Sequence, residues 1–89
     1  MSQWNVVVSR SADKDFSKIP KEIKSRIFKV LVSMEDDPFN GDVKRIQSGH
    51  WRELYRRRVG RYRIIFRADY NQNHEDVEAI LLRNEKTYR

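Results

Sequence analysis

After a short valine-rich start, the spacing of hydrophobic positions divides this chain into a helical segment followed by a strand-forming second half. Trp4 to Ser9 is rich in valine and predicts a strand. Ser11 is placed to cap a first helix, with Asp13 and Asp15 suited to its positive N-terminal end. Ala12, Phe16 and Ile19 then share one face at helical spacing. Pro20 punctuates the chain and fits the first position of a second helix. In that helix Ile23, Ile27, Val30, Leu31 and Met34 recur as one stripe, while Lys21, Lys24, Arg26 and Lys29 lie mostly on the other side. The stripe predicts that Ile23, Ile27, Val30 and Leu31 are buried against a sheet. Glu35, Asp36 and Asp37 suit a helix C-terminus poorly, so Pro38 is the firmer stop signal. The simplest arrangement is an antiparallel helix hairpin.

Phe39 to Gly49 is a mostly polar connection with room for a short strand near Val43 to Ile46. From Trp51 the period becomes two, with Tyr55, Arg57 and Val59 on one face and Leu54, Arg56 and Arg58 on the other. Gly60 and Arg61 make a tight turn into a returning strand, Tyr62 to Ala68. Asp69 to Glu75 reads as a hairpin loop, Val77 to Leu82 as the last strand, and Asn84 to Arg89 as a charged tail containing Tyr88. The expected fold is α+β, in the order β-α-α-β-β-β, as a single domain over residues 1–89. The N-terminal strand leads into the helix hairpin, which covers one face of a twisted antiparallel sheet. The other face stays open, and its polar positions are unusually rich in arginine.

Length and charge narrow the functional classes. A chain of 89 residues supports one modest core and leaves no room for a second catalytic domain. Lys and Arg total 19 against 13 Asp and Glu, a formal charge of +6. Arg52, Arg56, Arg57, Arg58, Arg61, Arg63 and Arg67 crowd one stretch, which points to a polyanionic partner, either nucleic acid or an acidic protein. The absence of cysteine excludes disulfides and thiolate metal sites, and His50 and His74 are too few for a convincing zinc site, so no cofactor is expected. The start MSQWNVVVSR lacks the apolar core of a signal peptide, and no apolar run approaches the ~20 residues that span a bilayer. The expected location is the cytoplasm, with no membrane partner.

An arginine-rich sheet face suits metal-free cleavage of RNA. In that reaction the ribose 2′-hydroxyl attacks the adjacent phosphorus and the 5′-oxygen leaves. A base, cations for the crowded phosphate and an acid for the leaving oxygen are required. Guanidinium groups suit the second task because they donate paired hydrogen bonds to phosphate oxygens. Arg56 and Arg58 point the same way along one strand, and Arg63 follows the turn. Arg83 at the end of the last strand and Tyr88 in the tail are placed to close such a site, the ring stacking on an unpaired base. The same arginines equally suit solvation of an open face, and Tyr55, Tyr62 and Tyr88 equally suit packing; spacing alone leaves both readings open. His50 beside Gly49 reads as an exposed loop residue, Glu53 as the partner of a nearby arginine, and Glu85 and Lys86 as surface charges. Helix termination and loop solvation account for Asp36, Asp37 and Asp42 better than a metal cluster does.

The segment Tyr55-Arg56-Arg57-Arg58-Val59-Gly60-Arg61-Tyr62-Arg63-Ile64-Ile65-Phe66 resembles the Y-R-x-R-V-G-x-Y-R-x-x-F/Y core of RelE/ParE-superfamily toxins. Ser11 to Phe16 and Ile19-Pro20 are similar to that family's first helix and its L-P junction. Asp37 to Lys44 is similar to its D-P-x-x-x-x-x-K connection, and Arg83 to Arg89 to its H-R-x-x-x-Y tail. The resemblance implies a toxin of a toxin–antitoxin system with a RelE-like fold, held inactive by a cognate antitoxin protein. In the ribonuclease branch it implies metal-independent cleavage of mRNA on the ribosome, inhibiting translation. In the ParE branch it implies non-enzymatic inhibition of DNA gyrase. The ribonuclease positions fall on Arg56, Arg58, Arg63, Arg83 and Tyr88. Arginine stands at 56 and 58 where a ribonuclease of the family has lysine, Arg83 where relatives have histidine, and Asn84 where they have arginine. Arginine holds its proton tightly, so the resemblance leaves the general base and acid open.

Overall fold

The computed structural model describes residues 3–82. The elements are β1 (Asn5–Val8), α1 (Arg10–Ser17), α2 (Lys21–Ser33), β2 (Val43–Arg45), β3 (Tyr55–Val59), β4 (Tyr62–Asp69) and β5 (His74–Leu82). The candidate strand near Val43 is therefore present. Ser9, and not Ser11, caps α1: its backbone is extended and its Oγ accepts from the Ala12 N–H at 3.0 Å. Pro20 occupies the cap of α2 with ψ 145, one position outside the helix. β5 begins at His74, so the last hairpin loop shrinks to residues 70–73. Asn73 takes a left-handed turn (φ 50), and the Asp69 carboxylate accepts from the Asn71 N–H at 2.9 Å.

The five strands form one sheet in the order β1-β5-β4-β3-β2. A long connection, residues 46–54, joins β2 to β3 and short turns join β3 to β4 and β4 to β5, all as antiparallel neighbours, whereas β1 pairs parallel to β5, Val8 opposite Val77. β1 enters the sheet from the far side of the helix hairpin, so no turn fixes its direction relative to β5. Where β1 stops, groups from α1 and its cap take over the edge of β5. The Ser9 N–H donates to the Val77 carbonyl at 3.0 Å, the Ser9 hydroxyl donates to the Glu78 carbonyl at 3.2 Å, and Asp15 Oδ2 accepts from the Ile80 N–H at 3.0 Å. A helix of eight residues is marginal by itself, and these bonds tie it to the sheet.

The larger core lies between the helices and one sheet face. It joins Ala12, Ile19, Ile27 and Met34 to Val59, Ile64, Phe66, Val77 and Ile80. Within α2 only Ile27 is buried, with Met34 buried at its cap; Ile23, Val30 and Leu31 are half-buried, so the stripe is narrower than its sequence pattern suggests. Between Ile65 and Phe66 the ladder shifts register, and β5 carries the additional residue Glu78. The second face is not wholly open. Residues 46–54 fold back, through Ile46 N–H to Leu54 carbonyl (2.8 Å) and Glu53 N–H to Ile46 carbonyl (2.9 Å). That fold buries Ile46 and Leu54 with Ile65 and Ala79, flanked by Trp51 and Leu81.

Candidate active site on the open sheet face

Strand pairing sets which arginines share a surface. Arg58 lies directly opposite Arg63, and Arg56 opposite Ile65, on the face away from the helices. Side chains so paired have Cβ atoms about 5 Å apart, and like charges placed there repel unless an anion joins them. Arg58 is exposed and Arg56 half-buried, whereas Arg63 is 4% exposed. Arg63 Nη1 donates to the carbonyls of Gly60 (3.3 Å) and Tyr62 (3.0 Å), which holds the guanidinium against the turn between β3 and β4. An anchored guanidinium beside an exposed one is a suitable clamp for a tetrahedral phosphate: the first sets position and the second is accessible to it. Arg57 faces the other way, packed on Gly41 with Nη1 donating to the Arg58 carbonyl at 3.0 Å, and takes no part in this surface.

Of the residues assigned from sequence, Arg56, Arg58 and Arg63 thus come together on one face. Arg83 and Tyr88 lie outside the described residues. The open-face row of Arg56 also holds Lys44, its partner on β2, an exposed cation that sequence reading missed. Alternation along the candidate strand near Val43 was the available signal, because Val43 packs toward the helices and Lys44 must then face the arginines. His50 is exposed and its ring rests edge-on against Trp51, while Glu53 pairs with Arg45 at 3.9 Å, as their sequence context suggested. No group of three or more His, Asp or Glu side chains that could hold a metal ion occurs among the described residues.

One titratable group away from this face was also missed. Glu75 stands on the helix side of β5, fully buried beside Val6 and Ala68, with no hydrogen-bond partner for either carboxylate oxygen. Burial, and then the negative charges of Asp37 and Glu35, push its pKa up to about 8. Its position inside a polar sequence had marked it as loop.

Comparison with known proteins supports this architecture. No curated protein matches the chain in sequence. In solved structures, the RelE–RelB complex of Pyrococcus horikoshii aligns over 96% of this chain and 99% of the other at 22% identity and a TM-score of 0.78. RelBE2 of Mycobacterium tuberculosis aligns over 90% and 98% at 18% identity and 0.77. The intact Escherichia coli RelBE complex aligns over 92% and 99% at 14% identity and 0.73. At such identities these likenesses establish the fold. The sequence profile described as the ParE toxin of the type II toxin–antitoxin system parDE matches residues 6–86, nearly the whole chain. This chain is therefore a member of the ParE toxin family, built on the RelE-like fold of type II toxin–antitoxin systems.

Proposed function

We propose that this toxin is a metal-independent endoribonuclease that cuts mRNA on the ribosome and so stops translation in the cytoplasm. The observation that carries the reading is the pairing of exposed Arg58 with buried, backbone-anchored Arg63, with Arg56 and Lys44 on the same face. Arg58 and Arg63 neutralise the phosphate as it becomes pentacoordinate, while Arg56 and Lys44 hold the flanking strand. The 2′-hydroxyl attacks phosphorus, the P–O5′ bond breaks, and the products carry a 2′,3′-cyclic phosphate and a 5′-hydroxyl. Arg83 serves as second clamp or proton donor to the leaving oxygen, and Tyr88 stacks on or orients the nucleotide. A cognate antitoxin, a partner of the kind present in the similar RelB–RelE complexes, covers this basic face with an acidic and apolar segment or displaces the tail.

The test is cell-free translation with added toxin, followed by mapping of mRNA ends. Cleavage should persist in EDTA and leave a cyclic phosphate. Loss in chelator with recovery on adding magnesium would overturn the mechanism. The ParE family match favours a second reading, a non-enzymatic inhibitor of DNA gyrase. Intact mRNA beside trapped gyrase–DNA complexes would establish that reading instead.

A further inference from the structure

Beside the open face, the turn between β3 and β4 borders a second basic hollow. It encloses about 330 Å³ between α2 and the hairpin, with Ile23 and Arg26 on one side and Arg58, Gly60, Arg61 and Tyr62 on the other. Gly60 is left-handed (φ 59), and Arg26 lies over it, with Nη1 and Nη2 at 3.7 and 3.8 Å from where a Cβ would stand. The carbonyl of the same glycine accepts from Arg63. One turn therefore supports the anchored cation of the sheet face and borders the hollow. The side chains of Arg26, Arg58 and Arg61 have neither an ion pair nor a hydrogen bond among the described residues. Cations gathered around one concavity without a carboxylate raise its potential and select an anion. Arg58 borders both surfaces, so an anion in the hollow adjoins one at Arg63.

We infer that this hollow binds a backbone phosphate of the RNA neighbouring the one to be cut, so that the strand runs from the sheet face across the Gly60 turn toward α2. The inference rests on the ribonuclease reading and adds Arg26 and Arg61 as positioning residues. Neither belongs to the catalytic set. Both are exposed, so their replacement leaves the core intact.

The test compares wild type with the double variant Arg26→Gln/Arg61→Gln. The probe is a single-stranded RNA 12-mer made uncleavable by 2′-O-methyl groups, and its affinity is followed by anisotropy across a salt series. Loss of one phosphate contact should lower the slope of log K against log salt by about 0.7. Affinity at moderate salt should fall on the order of tenfold, with the thermal midpoint unchanged. An unchanged slope and affinity, while wild type still cuts mRNA, would overturn this inference alone. So would wild-type cleavage on ribosomes with no binding of the 12-mer. Unaltered RNA binding with weakened binding of an acidic antitoxin would assign the hollow to the protein partner. Intact mRNA with wild-type toxin removes the ribonuclease reading and this inference together.

Discussion

Replacing Glu75 by glutamine should stabilise this protein at neutral pH and leave it nearly unchanged in acid. The carboxyl is fully buried without a hydrogen-bond partner, and its pKa is raised from 4.5 to about 8. Below pH 4.5 the group is protonated in both folded and unfolded chains, and it imposes no pH-dependent cost. Between 4.5 and 8 the unfolded chain releases the proton while the folded one retains it. Stability therefore falls as pH rises, by about 1.4 kcal/mol per unit. At pH 7, about 2.5 units into that window, the accumulated cost is roughly 3 kcal/mol. Glutamine has the same shape and also leaves a buried amide unpaired, so the comparison isolates the proton. Urea unfolding of both proteins at pH 4 and pH 7 reads the difference directly. The gap between their midpoints should open with pH, and at neutral pH it corresponds to more than 10 °C in thermal midpoint, taking about 4–8 °C per kcal/mol for a domain of this size. A gap equal at both pH values would refute the reasoning, because Glu75 would then ionise alike in folded and unfolded chains.

Four further outcomes are expected, the first three from the geometry and the last from the role proposed for the tail. Ile27→Ala should cost about 2–5 kcal/mol in denaturant unfolding, because Ile27 is fully buried; half-buried Leu31→Ala should cost less. Arg58→Ala should slow mRNA cleavage by about 10²–10³ with little change in thermal midpoint, since the side chain is exposed. Arg63→Ala should lose cleavage and also lower the thermal midpoint, because its bonds to Gly60 and Tyr62 brace the turn. Equal midpoints for the two arginine variants would show that Arg63 does not brace it. Tyr88→Ala should relieve growth arrest in cells expressing the toxin while circular dichroism stays unchanged.

The elements most legible in the sequence were those that local physics decides. The glycine turn and the period-two run around it identified the β3–β4 hairpin, and with it the shared face of Arg56 and Arg58. Helical spacing identified α2, although spacing could not separate buried Ile27 from half-buried Val30 and Leu31, which depends on how the helix sits on the sheet. The parallel pairing of β1 with β5 was not legible, since Val8 and Val77 meet across most of the chain with no turn to join them. The partial cover of the open face comes from Ile46, Trp51 and Leu54, which the sequence pattern placed at the end of a short strand and in the period-two run, so the segment that folds back between them was not legible. Glu75 was hidden because a buried carboxyl looks, in sequence, like any solvated one. The start of β5 was misplaced with it.

The additional residue in β5 also determines which changes in the gene this toxin tolerates. Val77 and Ile80, three positions apart, both enter the helix-side core, while Ala79 and Leu81 pack on the opposite face. A regular strand would send Val77 and Ile80 to opposite sides. Deleting Glu78 alone would remove the irregularity and leave Val77, Ala79, Ile80 and Leu81 in regular alternation, each on the face it now occupies. Point substitution can adjust this strand freely at its surface positions. Loss of the Glu78 codon is thus a length change that this strand absorbs, whereas loss of one codon in the middle of β4, which carries no additional residue, would exchange the two faces of the residues beyond it.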